Sequence, residues 1–337
     1  MRNLNDKRVL VCIIGTLRAI EVTHQSIIQK VIRPLNADLL ICVSRISSED
    51  EKLLEYFKGV NIVDVCIYDD SVRYEDLRHK FGKSFNHNQW CKYISSEGNW
   101  LGGIDGRKGS GMYLTYNYWK LSERLKDLKS KSISYERYII TRSDLMWLAK
   151  HPPLNLLSPS CVWTPEGEDY HGYNDRHAVC SEKNIRYYLS MFEYMMDSRA
   201  VKYLKREILR IYQDIGHEKH LKYHLDSNWV MVGKFKNVSY LTGGTKTPTR
   251  WGTIKSLNLG DKIYNYKYYN ELTGAIKNAE EFERYKDWSK MIFRPSFVCE
   301  MIRLLKARIR IEFRTLLFRT YRYLMKSEGK DSGNMRV

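Results

Sequence analysis

"KRVLVCIIGT", residues 7–16, holds six consecutive apolar residues between a Lys-Arg pair and a Gly-Thr pair. An apolar run this short, ending in turn residues, reads as a strand buried on both faces of a sheet. A helix-like stretch follows to Ile32, with Pro34 as its breaker. "DLLICVS" (38–44) is a second buried strand, and Ser47 or Ser48 can cap the acidic-start helix "EDEKLLEYF". "VNIVDVCIYD" (60–69) supplies a third strand. Continuous apolar strands alternating with helices make βαβ units, hence a mostly parallel central sheet with helices on both faces. The fold class expected is α/β, Rossmann-like.

The chain of 337 residues, 43% hydrophobic, is long enough to bury a substantial core. The first apolar run is too short, and too soon followed by Arg18, to be a secretory signal or a membrane span. Seven cysteines, an odd number with no C-x-x-C pair, read as reduced thiols, and Cys12, Cys42 and Cys66 lie inside strand-like runs. A reducing, cytoplasmic setting is therefore expected. The net charge of +17 calls for an anionic partner or serves solubility. That charge gathers toward the end of the chain, where residues 284–330 carry thirteen Lys/Arg against four Asp/Glu.

Farther along, residues 80–108 give no clear pattern, and "GMYLTYNYWKLSERLKDL" (111–128) has the spacing of a long packed helix. "ERYIITRSDLMWLA" (136–149) contains a strand that ends in two opposite charges. "SCVWTPE" (160–166) reads as a strand, 182–197 and 200–212 as helices, and a helix near 217–225 precedes a strand pair, "NWVMVG" and "NVSYLT". The tail, roughly 277–325, reads as helical. The expected organisation is a catalytic domain over 1–275, with halves near 1–150 and 151–275, and a basic helical extension over 276–337.

In open α/β sheets ligands bind beyond the carboxyl ends of the strands, and three candidate features fall there. In "GTLR", Gly15 and Thr16 let the backbone approach a ligand and Arg18 can pair with a phosphate or carboxylate; the same residues would also make an ordinary turn. Neither G-x-G-x-x-G nor a P-loop is present. In Arg142-Ser143-Asp144 the pleat sends Arg142 and Asp144 to one face and Ser143 to the other. Buried charge is costly unless paired, so this spot is either a structural ion pair or a binding site. A strand-end Asp can hold Mg²⁺ or Mn²⁺, and an Arg fork can hold a phosphate.

The third feature is "WTPEGEDYHGYNDRHAV" (163–179), which crowds Glu166, Glu168, Asp169, His171, Asp175, Arg176 and His177 around Gly167 and Gly172. Loops held by a rigid sheet are where binding and catalytic groups gather. Its His/Cys spacing is wrong for a zinc site. Two weaker features follow. "HEKHLKYHLDSNW" places His217, His220 and His224 on related helix faces, either surface histidines or groups reaching a ligand. "LTGGTKTPTRWG" (241–252), with Lys246 and Arg250, reads as a flap over a phosphate or a hairpin connection.

The order "R-S-D-L", then a strand, then "P-E-G-E-D-Y-x-G-Y-N-D-R-x-A-V" resembles the GT-A-type glycosyltransferases of bacterial surface-polysaccharide loci and large algal viruses. The resemblance covers roughly residues 8–180 and thins out through 250. It implies a GT-A fold and transfer of a sugar from a nucleotide-sugar donor to a carbohydrate acceptor. Gly15, Thr16, Arg18, Arg142, Ser143, Asp144, Lys246 and Arg250 would then bind the donor. Asp144 would stand for the last Asp of the D-x-D motif, the ligand of Mn²⁺ or Mg²⁺. The chain departs from that motif, because position 142 is Arg, which puts metal dependence in question.

By the same resemblance Asp175 or Asp169, with Glu168 behind them, would serve as base, and Tyr170, His171, Asn174, Arg176 and His177 would face the acceptor. Two other readings compete: a nucleotidyltransferase making sugar nucleotides, and a basic nucleic-acid-binding protein. Against the latter, no recognised nucleic-acid motif is present. "MIRLLKARIRIEFRTLLFRTYRYLMK" (301–326) mixes apolar and basic residues at helical spacing, so peripheral contact with an anionic membrane is expected, or else packing on the domain.

Overall fold

The computed structural model describes residues 8–45, 50–69, 111–196, 216–244 and 254–293, with short pieces at 73, 75–76, 79, 295, 301–306 and 309. The opening run forms β1 (Val9–Gly15), and the next two apolar runs form β2 (Asp38–Ser44) and β3 (Ile62–Tyr68). Between β1 and β2, α1 (Ile20–Ile27) runs on in wider turns to Ile32. Residues Asp50–Phe57 form a tightly wound helix, while Ser47 and Ser48 lie outside the described residues. The long helix α2 (Gly111–Ser130) leads into β4 (Arg137–Arg142) and the short β5 (Leu145–Trp147).

The second half supplies β6 (Cys161–Pro165), β7 (His177–Ser181), β8 (Met231–Phe235) and β9 (Ser239–Leu241). A hairpin, β10 (Lys255–Leu259) and β11 (Lys262–Tyr266), precedes β12 (Ile292–Phe293). The helices of this half are α3 (Glu182–Leu189), α4 (Met191–Met196), α5 (His217–Ser227) and α6 (Tyr269–Tyr285).

Eight strands make the central sheet in the order β12-β8-β6-β7-β4-β1-β2-β3. β3, β2, β1 and β4 run parallel, as does the β6–β8 pair, whereas β7 is antiparallel to both β4 and β6. Side-chain alternation splits β1 cleanly. Val9, Val11 and Ile13 join a core with α1 and α6, while Leu10, Cys12 and Ile14 join one with α2, α3 and α5. The sheet is thus an α/β layer covered on both faces, as the apolar runs imply.

Several expected elements differ. The helix over 182–197 breaks at Ser190 into α3 and α4. The expected strand pair does not pair with itself: β8 lies parallel to β6, and β9 lies antiparallel to β5. The tail is not continuously helical, because β12 joins the sheet beside β8 before a helix resumes at residues 301–306. The border drawn at 275/276 falls inside α6, so the sheet draws on the chain as far as Phe293. The helix expected over 200–212 lies outside the described residues.

The described cysteines Cys12, Cys42, Cys66, Cys161 and Cys180 are all free thiols. One buried charge breaks the usual rule of pairing. Arg137, 6% exposed, donates from Nη1 to the Leu157 carbonyl at 2.8 Å, while Nε and Nη2 have no partner. Burial lowers its pKa. Replacing such a cation with an apolar residue of similar reach removes a desolvation cost. We expect Arg137→Met to stabilise the fold by ~1–3 kcal/mol, read as a higher denaturant midpoint. A lower midpoint would show that the single bond to Leu157 outweighs that cost.

Candidate active site at the carboxyl end of the sheet

β1 and β4 end side by side, with Ile14 opposite Arg142. Gly15 leaves β1 at φ +97°, and a Cβ placed there would meet nothing within 4 Å. The backbone at this point therefore borders open space, and the left-handed angle favours glycine. The following turn is stitched to β4 by Ser143. Its Oγ reaches the carbonyls of Thr16 and of Arg18, the latter at 3.0 Å, and its own carbonyl accepts from Thr23 Oγ1. Ser143 is 1% exposed, so it binds the two loops together and offers nothing to a donor.

Arg142 and Asp144 follow Ile140 toward the α2–α5 face, as the pleat requires. Arg142 Nε donates to Asp144 Oδ1 at 2.8 Å and Nη2 to Oδ2 at 2.7 Å, a fork-to-fork pair. The Asp144 side chain is 3% exposed and that of Arg142 23%. Burial pushes the Asp144 carboxyl up, but Arg142, with Arg18 and Arg176, outweighs it and holds the group below the ordinary carboxylate range. Each oxygen of Asp144 thus accepts one bond from Arg142. Among the described residues no group of three or more His, Cys, Asp or Glu side chains is arranged to hold a metal. Mn²⁺ or Mg²⁺ does not fit Asp144 in this arrangement, and Asp144 acts as the group that aims Arg142.

Asp175 and Arg176, at the end of the 166–176 segment, act on this pair through their charges. That segment is built on strained backbone, with Glu168, Tyr170 and His171 all at positive φ. Asn174 secures the loop, donating from Nδ2 to the Gly167 carbonyl at 2.9 Å and accepting from Arg176 N–H at 3.0 Å. Asp169 is held by Lys234 and by Asn174 N–H, and Glu168 by Arg176 and Tyr170. Arg176 also pairs with Glu271 on α6 and lies over the Tyr268 ring at 5.1 Å. Asn174, Asp169, Glu168 and Arg176 therefore fix the loop's shape, whereas Tyr170 and His171 project to solvent.

Asp175 points the other way, into the site. Its Oδ2 accepts from His217 Nδ1 at 2.6 Å, and its carbonyl accepts from Tyr118 Oη at 2.8 Å. Burial raises the Asp175 carboxyl, yet His217, Arg176 and Arg142 more than offset this and keep it ionised below its ordinary value. An ionised carboxylate only accepts, so Nδ1 carries a proton, and in the neutral imidazole Nε2 is then the nitrogen with the lone pair. His217 is 6% exposed, and its buried Nε2 has no hydrogen-bond partner among the described residues. Glu218 beside it is pushed up to about 7, first by burial and then by the Asp175 charge.

The loop and α5 meet at a close approach. Tyr173 N–H donates to the Glu218 carbonyl at 3.1 Å, and a Cβ on Gly172 would collide with that same carbonyl. Only glycine lets α5 bring His217 to Asp175. The histidines of α5 are thus not surface groups: His217, His220 and His224 are all buried. His217 was expected only as one of three histidines that could reach a ligand, and Glu218 was not among the expected site residues. Their partner Asp175 lies 42 positions away, and the only local sign was three histidines at helical spacing.

Arg18, Arg142, Asp144, Asp175 and Arg176 do come together, since Asp144 senses Arg18, Arg142 and Arg176, and Asp175 senses Arg142 and Arg176. His177 does not join them. It is fully enclosed between His151, Trp147 and Phe235, where burial holds its imidazole far below the ordinary value, and it cannot face an acceptor. Lys246 and Arg250 lie outside the described residues. Before them in the chain, Thr242 N–H donates to the Asp144 carbonyl at 3.0 Å.

The raised Glu218 value has a consequence for stability. A carboxyl whose folded value rises from 4.5 to about 7 contributes stability in full below pH 4.5 and loses it as pH climbs through 7. Glu218→Gln should therefore gain on the order of 2 kcal/mol over the parent at pH 8 and nothing at pH 4. Denaturant midpoints at the two pH values check this, and an equal difference at both would refute it.

No protein-family profile matches the chain, and no curated protein matches it. Among solved structures it is similar to mouse xyloside xylosyltransferase 1 in its apo form, at a TM-score of 0.38 and 12% identity, over 67% of this chain and 84% of that one. It is also similar to the PaToxG glycosyltransferase, at a TM-score of 0.31 and 17% identity, over 66% and 68% of the two chains. Likeness at that level leaves the activity to be read from the side chains themselves.

Proposed function

We propose that the chain is a glycosyltransferase, moving a sugar from a nucleotide-sugar donor to a carbohydrate acceptor. The observation that carries this reading is the meeting, at one end of the sheet, of an aimed cation and an unpartnered base. Arg142 is fixed by Asp144, and His217 is fixed by Asp175.

Departure of a nucleoside diphosphate develops negative charge that donors fixed in advance can stabilise. The fork to Asp144 uses two of the five N–H groups of Arg142, leaving three for phosphate oxygens. Arg18 lies near the same carboxylate, and the open backbone at Gly15 gives the diphosphate room. The acceptor hydroxyl gives its proton to His217 Nε2 as its oxygen bonds to the anomeric carbon. The bond from that carbon to the diphosphate oxygen breaks, and Asp175 stabilises the imidazolium that forms. Asp175 is then a positioning residue and His217 the base. Arg142 supplies the counter-charge that a metal gives in D-x-D sites.

The donor is found by thermal shift over UDP-, GDP- and dTDP-sugars, since a ligand at about 100 times its Kd stabilises by ~2.7 kcal/mol. Arg142→Ala should abolish that shift. His217→Gln should keep it yet lower transfer by roughly 10²–10⁴-fold, the usual worth of a general base. A chelator should leave transfer unchanged. Absence of a shift with every donor, or full turnover in His217→Gln, would end this reading. Pyrophosphate release from a sugar 1-phosphate and a nucleoside triphosphate would mark a nucleotidyltransferase instead.

A further inference from the structure

Beyond the sheet, Met301–Lys306 and Ile309 are helical, and four apolar side chains are left in solvent. Met301, Ile302, Leu305 and Ile309 are 38%, 45%, 50% and 55% exposed. At about 100° per residue, Met301, Leu305, Ile309 and Ile302 fall at about 0°, 40°, 80° and 100° around the helix. They form one stripe. Leu304, at about 300°, is the inward face, and it is 1% exposed. Lys306 and Arg303 follow the stripe at about 140° and 200°. The helix cannot roll to hide its apolar row, because Arg303 Nη1 is tied to Asp226 Oδ2 at 2.6 Å.

From this geometry we infer that the 301–309 face is a docking surface for an anionic lipid bilayer. The inference goes beyond the transferase reading and does not depend on it. An apolar arc about a quarter-turn wide, with Lys306 at its edge, is what lies in the plane of a bilayer with its apolar groups at the acyl boundary. Charge complementarity selects the occupant: the chain carries a net charge of +17, and Lys306 stands at the edge of the stripe. A nucleic acid would use the basic residues and leave the apolar row in water, so it fits less of what is there. No described helix is long and apolar enough to cross a membrane, so the contact is peripheral.

The site and this surface share one support. Asp226, which anchors the docking helix, closes the same α5 whose first residue is His217. They are nine helical steps apart, about 14 Å along the axis.

The experiment floats the full chain with phosphatidylcholine vesicles, either plain or containing about one-third phosphatidylserine. Wild-type protein should partition at least ~10-fold more strongly to the anionic vesicles, and added salt should weaken the binding. The variant carrying Ile302→Glu, Leu305→Glu and Ile309→Glu should lose at least ~10-fold of that partitioning with its thermal midpoint unchanged. Wild-type protein that stays off the anionic vesicles overturns the inference, as does a triple variant that binds as well as wild type. A midpoint lowered by several degrees in the triple variant would show the stripe covered by the chain itself. A changed oligomeric state would show it covered by a second copy. Loss of oligonucleotide binding in place of vesicle binding would give the face to nucleic acid. Each of these last three results also overturns it.

Discussion

Charge buried at the carboxyl end of a sheet must be answered by opposite charge, and this constraint organises the molecule. Asp144, Asp175, Arg176 and Glu271 are nearly or wholly withdrawn from water, Arg142 is partly so, and the five arrive from three separate parts of the chain. Removing one partner from such a set strands the other at a cost of about 3–5 kcal/mol. The pairs therefore act as latches. Arg142 with Asp144 fixes the end of β4, Arg176 with Glu271 fastens the loop to α6, and His217 with Asp175 fastens α5 to the loop. An apolar core would hold these elements at comparable cost. What it could not do is set charged donors beside an imidazole at one end of the sheet.

The same constraint separates residues that shape the site from residues that face a substrate. Asp169 and Glu168 look catalytic when counted as carboxylates in a glycine-bearing loop. Each is already engaged, by Lys234 and by Arg176. Asp144 looks like a metal ligand when seen as the last residue of R-S-D. Its oxygens are both engaged too. A carboxylate held by a neighbouring cation in this way orients that neighbour. That criterion leaves His217 Nε2 as the buried acceptor beside Asp175 that is still unpartnered.

How much of this the sequence discloses depends on the range of the interaction. β1 to β4 are legible because each is a short apolar run bounded by turn residues, and the odd–even split of β1 between two cores follows from the pleat. R-S-D and N-D-R stand out because buried charge is rare. β7 is harder to see: "HAVCS" is five residues long and follows a charged loop, so nothing local says that it threads between β4 and β6. The β5–β9 and β6–β8 pairings join segments far apart in the chain and have no local signature. The hairpin β10–β11 is mostly polar and exposed, so no apolar period announces it. His217 was hidden for the same reason as β7, since its meaning comes from a partner on another element.

α5 shows why position along a helix matters more here than residue type. Its three histidines recur at i, i+3 and i+7, a spacing that puts them on one side with Leu221 and Leu225. That side is buried, so all three are core-facing, and they differ only in what each end of the helix meets. His224, in the last turn, reaches the Tyr187 carbonyl and the Ser190 hydroxyl, which ties α5 to α3. His217, in the first turn, meets the ionised Asp175 and keeps its second nitrogen unbonded. Gly172 decides the difference, because only a residue without a Cβ lets the strained loop reach the Glu218 carbonyl and set Asp175 against that first turn. A helix built for packing thus becomes the wall of a site through one close backbone contact.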